Sequence, residues 1–200
     1  MRRIHRLAVV AALAAAPAAA QTLEVPAPAE APPRPARLVK AFFEAVGEFG
    51  GETVATVGFE DGSTQDVNTG QGLTVSGGAI VRPSAGSPLA LRGSVGFKFV
   101  GTKADNANIF LTRIPVEIVA SYDLPSDLWV GAGYTRHTFT KFHGDEFGPD
   151  LAFEDGNGAT VEFGWRWIGV SYTSMRYTDE HGAEYNASVF GFVLTSAFGR

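Results

Sequence analysis

Ionisable side chains recur at alternate positions inside otherwise apolar runs. Glu44 and Glu48 sit in "VKAFFEAVGEFG", Arg92 and Lys98 in "LALRGSVGFKF", Arg113 and Glu117 in "TRIPVEIVASY", and Glu162 in "ATVEFGW". A period of two puts such residues on one face of a β-strand. Four acids face three bases in this set, with Arg82 a further base near one end. The chemistry they offer is mutual ion pairing, because a buried charge without a partner is strongly unfavourable. A matched set of this kind predicts a plugged polar interior.

The residues that could form a catalytic set are His137, His143, Asp145, Glu146 and Ser174. An activated serine needs a base within hydrogen-bond reach and a third group to orient that base. The histidine-rich piece "RHTFTKFHGDE" contains no serine, so no catalytic residue is assigned and an enzyme is not expected. Asp145, Glu146, Asp150, Glu154 and Asp155 make the loop after it acidic, but "EDGNG" lacks the alternating oxygen ligands of a calcium loop. With no cysteine either, no metal site and no cofactor are expected.

The elements that must position these residues are segments of about ten residues with period-two alternation, separated by turn chemistry. Eight such strands are read: 39–50, 71–82, 88–99, 109–122, 127–140, 158–165, 168–177 and 188–198. Asp61-Gly62 marks a hairpin within the first connection. An alternative makes 51–60 the first barrel strand and leaves 39–50 outside. Connections 82–88, 123–127 and 166–167 are short, whereas 51–70, 100–108, 141–157 and 178–187 are longer and more polar. Short turns at one end and long loops at the other describe an all-β, eight-stranded, antiparallel up-and-down transmembrane β-barrel.

Residues 1–20 read as a secretory signal, with Arg2, Arg3 and Arg6 before the apolar "LAVVAALAAA" and a small-residue cleavage site at Ala18-Ala19-Ala20. Residues 21–38 are rich in Pro and Ala and read as an extended periplasmic tether, with the barrel over 39–200. Loss of the three leader arginines takes the formal charge from −5 to −8, which argues against a nucleic-acid partner.

Parity decides which face meets which solvent. Leu89, Leu91, Val95, Phe97 and Phe99 oppose Arg92, Ser94, Gly96 and Lys98. Val161, Phe163 and Trp165 oppose Thr160, Glu162 and Gly164. The small and charged face suits the interior of an eight-stranded barrel, which side chains just fill, with glycines making room for the long ion-paired residues. The large apolar face is then the lipid face. Tyr122, Trp129, Trp165, Trp167 and Phe198 gather near the short turns, and Phe59, Phe99, Phe139, Phe142 and Tyr177 near the long loops, as two interfacial girdles would. Pro115 is the awkward member, since it removes a ladder donor in a sheet with no free edge.

The leader, the alternating strands and the terminal "FVLTSAFGR" resemble small outer-membrane β-barrels of the OmpA/OmpX-like type. Within that group, "GLTVSGGAIVRP", "LALRGSVGFKF", "TRIPVEIVASYDLP" and "LWVGAGYTRH" are similar to a family of poorly characterised proteobacterial outer-membrane β-barrel proteins. The resemblance covers residues 40–198. It implies a bacterial outer-membrane location, assembly by the outer-membrane assembly machinery, and a structural or surface-interaction role. A small channel for ions or solutes is the alternative, with a lipid A-modifying enzyme a further one. The final strand of such proteins ends on Phe, whereas here Phe198 is followed by Gly199-Arg200.

Arg136 and Arg176 point to the lipid face by parity, at the loop ends of their strands. Charge is tolerated at that interface, and arginine suits phosphate through bidentate contact. These two, with Lys141, are the expected contacts to lipopolysaccharide.

Overall fold

The computed structural model describes residues 38–58, 61–104, 107–144 and 150–198. The leader, nearly all of the tether and Phe59 lie outside these residues. Among the described residues twelve strands follow in chain order. They are β1 (Val39–Gly50), β2 (Thr53–Gly58), β3 (Thr64–Asn68), β4 (Gly72–Val81), β5 (Leu89–Ala104) and β6 (Ala107–Asp123), followed by β7 (Leu128–His143), β8 (Leu151–Ala152), β9 (Gly156–Trp165), β10 (Ile168–Thr178), β11 (Glu184–Asn186) and β12 (Val189–Phe198).

Eight of these close a ring. Antiparallel pairing runs β1–β4–β5–β6–β7–β9–β10–β12, and β12 returns to β1 with Ala41 opposite Phe198 and Gly50 opposite Val189. The segment 39–50 is therefore the first barrel strand. Closure gives every strand of the ring a hydrogen-bonded neighbour on both sides, as a hydrocarbon solvent demands. Pairs β2 and β3 form a separate two-stranded sheet in the first long connection. Their turn is set by the Asp61 carboxylate, which accepts from the Ser63 amide at 2.9 Å and the Ser63 hydroxyl at 2.6 Å, and these bonds hold its pKa below the usual carboxylate value.

The alternation read from the sequence sorts residues as a barrel in lipid would. Phe43, Val75, Val95, Phe97, Phe163 and Phe192 are exposed, while Glu44, Arg92, Lys98 and Glu162 are buried. A water-soluble barrel would reverse this arrangement.

Four expectations are corrected. The segment 100–108 is not a loop: β5 runs to Ala104 and β6 restarts at Ala107, so this hairpin carries its ladder well past the neighbouring strands. Trp129, Phe142 and Tyr177 do not belong to the girdles, because all three are buried. Trp129 has the inward parity of Gly131 and Thr135. Phe142 turns inward because β7 carries an extra residue: Ile114 pairs with Thr138, but Thr112 pairs with Lys141. Phe139 sits in this bulge with φ 52°. One inserted residue inverts parity, so odd positions face the lumen before it and even positions after it.

Pro115 lies next to this bulge. The β5–β6 ladder has no pairs between Val95↔Val116 and Lys98↔Arg113, a gap that coincides with the proline and its missing N–H. Its register on the two sides of the gap is the same. The irregularity lies instead on the β7 side, where the Thr138 hydroxyl donates to the Ile114 carbonyl at 3.2 Å.

Three glycines of the inner wall make room for aromatic rings. A side chain at Gly164 or Gly169 would collide with Trp129, and one at Gly156 with Tyr177. Others lie against luminal acids, Gly131 against Val119 and Glu162 and Gly191 against Val46 and Glu48.

Candidate functional site

The lumen is built in layers from the short-turn end to the long-loop end. At the short-turn end the lumen opens into a recess. Trp129, Ile80, Trp167 and Ala197 contribute to its wall, and Glu44 and Arg92 lie at its inner end. Two ion pairs sit on the surrounding turns, Arg82–Asp123 at 2.8 Å and Arg166–Asp127 at 3.1 Å. The two-residue turn at Arg166-Trp167 needs a positive φ at Arg166, where it is 54°. Arg166 is held there by stacking on Trp165 and by its carbonyl, which accepts from the Trp129 indole N–H at 3.1 Å.

The next layer is ionic. Arg92 meets Glu162 at 2.6 Å and Glu44 at 3.4 Å, with its guanidinium 5.6 Å from the ring centres of Phe42 and Trp129. Both aromatic faces add cation–π attraction in a desolvated setting. Beyond it is a cavity of only about 40 Å³, lined by Glu44, Glu48, Glu117 and Glu162 and by hydroxyls that include Thr74, Ser76, Thr160 and Thr173. Lys98 pairs with Glu48 at 2.9 Å, and the Thr74 hydroxyl donates to the same Glu48 oxygen at 2.8 Å.

Toward the long loops the polar layer ends at Arg113. Its guanidinium donates to the carbonyls of Thr69 and Gln71 and, at 3.3 Å, to the Tyr177 hydroxyl. His137 shares a hydrogen bond with the same hydroxyl. Above these lies an apolar cap of Val67, Ile109, Leu111, Phe142, Phe153, Met175, Tyr177 and Ala187. Val67 comes from β3, so the first connection takes part in closing this end. Asp179 stiffens another connection: its carboxylate accepts the Ala183 and His181 amides at 2.8 and 2.9 Å, and these bonds hold its pKa below the usual carboxylate value.

The interior charges expected from the sequence thus fall into three groups. Arg92 brings together Glu44 and Glu162, and Lys98 is joined to Glu48. Arg113 and Glu117 lie inside, but Arg113 bonds backbone carbonyls and Tyr177, and Glu117 makes no ion pair within 4.0 Å among the described residues. Pairing both with the luminal set was the expectation. It fails for Arg113 because the carbonyls of Thr69 and Gln71 take up its guanidinium. Sequence inspection missed Tyr177 and Trp129; the glycines facing them were the available signal.

Outside the wall, Arg136 pairs with Asp155 at 2.6 Å, Arg176 with Glu184 at 3.4 Å, and Lys141 is exposed. Of the possible catalytic residues, His137 is buried in the lumen and Ser174 is exposed on the opposite face of the wall, so the two cannot meet. His143 contacts Asp150 at 2.8 Å, whereas Asp145 and Glu146 lie outside the described residues.

A closed eight-stranded antiparallel ring with an apolar outer belt and a charged interior defines a small β-barrel of the bacterial outer membrane. The chain matches no protein-family model and no curated protein. Among solved structures it is similar to Ail, the attachment invasion locus protein of Yersinia pestis, with 8% identity and a TM-score of 0.37 over 79% of this chain and 97% of that one. Ail in complex with the heparin analogue sucrose octasulfate gives 12% identity and a TM-score of 0.39 over the same shares, 79% and 97%. The outer membrane channel DcaP of Acinetobacter baumannii gives 14% identity and a TM-score of 0.35 over 76% of this chain and 54% of that one. At these values no ligand or activity carries across.

Proposed function

We propose that this barrel is a closed, non-conducting and non-enzymatic protein of the outer membrane, with a structural or surface-interaction role. The observation that carries the reading is the narrow middle of the lumen, where the cavity of about 40 Å³ has room for only about three waters. It lies between the Arg92 ion pairs and the cap of Leu111, Phe142 and Tyr177. Purified protein in a planar lipid bilayer is expected to give no single-channel steps. Regular steps that change size in Glu117→Ala would establish the channel instead.

The leader at 1–20, the tether at 21–38 and delivery by the outer-membrane assembly machinery belong to the same proposal. So does contact with lipopolysaccharide through Arg136, Arg176 and Lys141. Each arginine already holds an exposed carboxylate, an exchangeable partner worth little at the surface. Alanine at both arginines is expected to lower the lipopolysaccharide that co-purifies; unchanged co-purification overturns the assignment.

A further inference from the structure

Directly beneath the apolar cap, side chains from β6, β7 and β10 meet at one oxygen. Arg113 donates to the Tyr177 hydroxyl at 3.3 Å, and the same hydroxyl is hydrogen-bonded to Nδ1 of His137. Arginine has donors only, so the Tyr177 oxygen accepts in the first contact. The hydroxyl hydrogen has no acceptor other than Nδ1 among the described residues, and it is therefore donated there. His137 is then neutral, with its own hydrogen on Nε2.

The surroundings of this buried ring do not welcome a charge. The charges that act on it are the cations Lys98 of β5 and Arg113 of β6. His137 also lines the small cavity, together with Glu44 and Glu48 of β1, Glu117 of β6 and Glu162 of β9. Three of these carboxylates are already taken by Arg92 and Lys98. From β4 and β12 come Thr74, Ser76 and Val193, which carry no charge. A proton on Nδ1 would set N–H against O–H, leave the Tyr177 hydrogen without an acceptor, and add a third cation beside Lys98 and Arg113. An unmade hydrogen bond at a buried site is costly. Tyr177 is also a member of the cap, with its ring centre 5.9 Å from that of Phe153. Displacing Tyr177 therefore loosens the cap.

We propose that His137, Tyr177 and Arg113 form an acid-sensitive latch, in which a proton on His137 breaks its bond to Tyr177 and loosens the cap over the lumen. The closed latch holds no proton on Nδ1. The opened one takes a proton up below about pH 6.5, where a histidine in water is charged. Falling pH thus favours opening, by up to about tenfold per pH unit. The Arg92 layer is untouched, so loosening the cap is not expected to make the barrel conduct. The latch and the closed lumen stand or fall separately.

Amide hydrogen exchange of the full-length barrel refolded in a non-ionic detergent, corrected for the intrinsic effect of pH, reads the opening. Protection of residues 67–71, which lie over the Arg113 guanidinium, is expected to fall about ten- to thirtyfold between pH 7.5 and pH 5. The central strands of the ring are expected to stay protected. His137→Gln keeps an acceptor for Tyr177 but cannot charge, and is expected to be equally protected at both pH values. Glu117→Gln is expected to keep the pH dependence. Protection in the unmodified barrel that does not change with pH overturns the proposal. So does a pH dependence that survives His137→Gln or vanishes in Glu117→Gln, which would place the proton on a carboxylate. Folding of the variants is checked by heat-modifiable gel mobility. If neither folds, the unmodified barrel still decides. Nitrogen chemical shifts of isotope-labelled histidine are expected to show His137 with its hydrogen on Nε2 at pH 7.5, and a hydrogen on Nδ1 at that pH overturns the latch.

Discussion

Arg92 holds Glu162 at 2.6 Å and Glu44 at 3.4 Å between two aromatic rings, whereas Arg113 spends the same donors on the carbonyls of Thr69 and Gln71. Both arginines were legible as inward-facing from parity alone. Their partners were not, because a partner lies across the barrel or in a connection whose path the alternation does not encode. The consequence for Arg92 is measurable. Arg92→Met leaves two buried carboxylates without a cation and is expected to cost about 3–5 kcal/mol in urea unfolding of the detergent-refolded barrel. Adding Glu44→Gln and Glu162→Gln to Arg92→Met removes the stranded charges and is expected to restore most of that loss. A triple variant no more stable than Arg92→Met alone would show that the guanidinium contributes chiefly through packing on Phe42 and Trp129.

Strand β7 shows what an element adds to its residues. The run from Leu128 to His143 reads as simple alternation, and on that basis Phe142 belonged to the lipid-facing girdle. The bulge at Phe139 shifts the register against β6 by one, which turns Phe142 inward beside Leu111 and Phe153. Nothing in "RHTFTKFH" marks the extra residue, since Phe139 takes a positive φ that glycine more often occupies. Deleting Phe139 restores strict alternation. It is expected to expose Phe142 and open the cap while leaving the ring closed. Limited proteolysis should then cut within the connection carrying β2 and β3, with heat-modifiable mobility retained. Resistance equal to that of the unaltered protein would mean that the cap does not depend on this bulge.

For the whole molecule the decisive property is which face meets which solvent. Val95 stands in the middle of β5, 55% exposed, with Lys98 buried a few residues along the same strand. If the outer belt lies in hydrocarbon, Val95→Arg puts a charge near the midplane and is expected to cost about 2–4 kcal/mol when folding into lipid vesicles is followed. A soluble barrel would accept that change almost freely, since an exposed arginine in water is within a few tenths of a kcal/mol of neutral. The measurement therefore separates the two solvents without reference to any activity.

The sequence by itself determined the number of ring strands and the polarity of the two faces. It left 39–50 and 51–60 as alternatives for the first strand and read 100–108 as a loop. The number and the polarity depend on the period of two and on local turn chemistry, both of which act over a few residues. The tertiary structure alone decided that Arg113 binds backbone, that Glu117 makes no ion pair among the described residues, and that an apolar cap closes one end while a recess opens at the other. Those features depend on strand register across the closed ring and on the paths of the connections, and one inserted residue in β7 was enough to turn Phe142 into the cap.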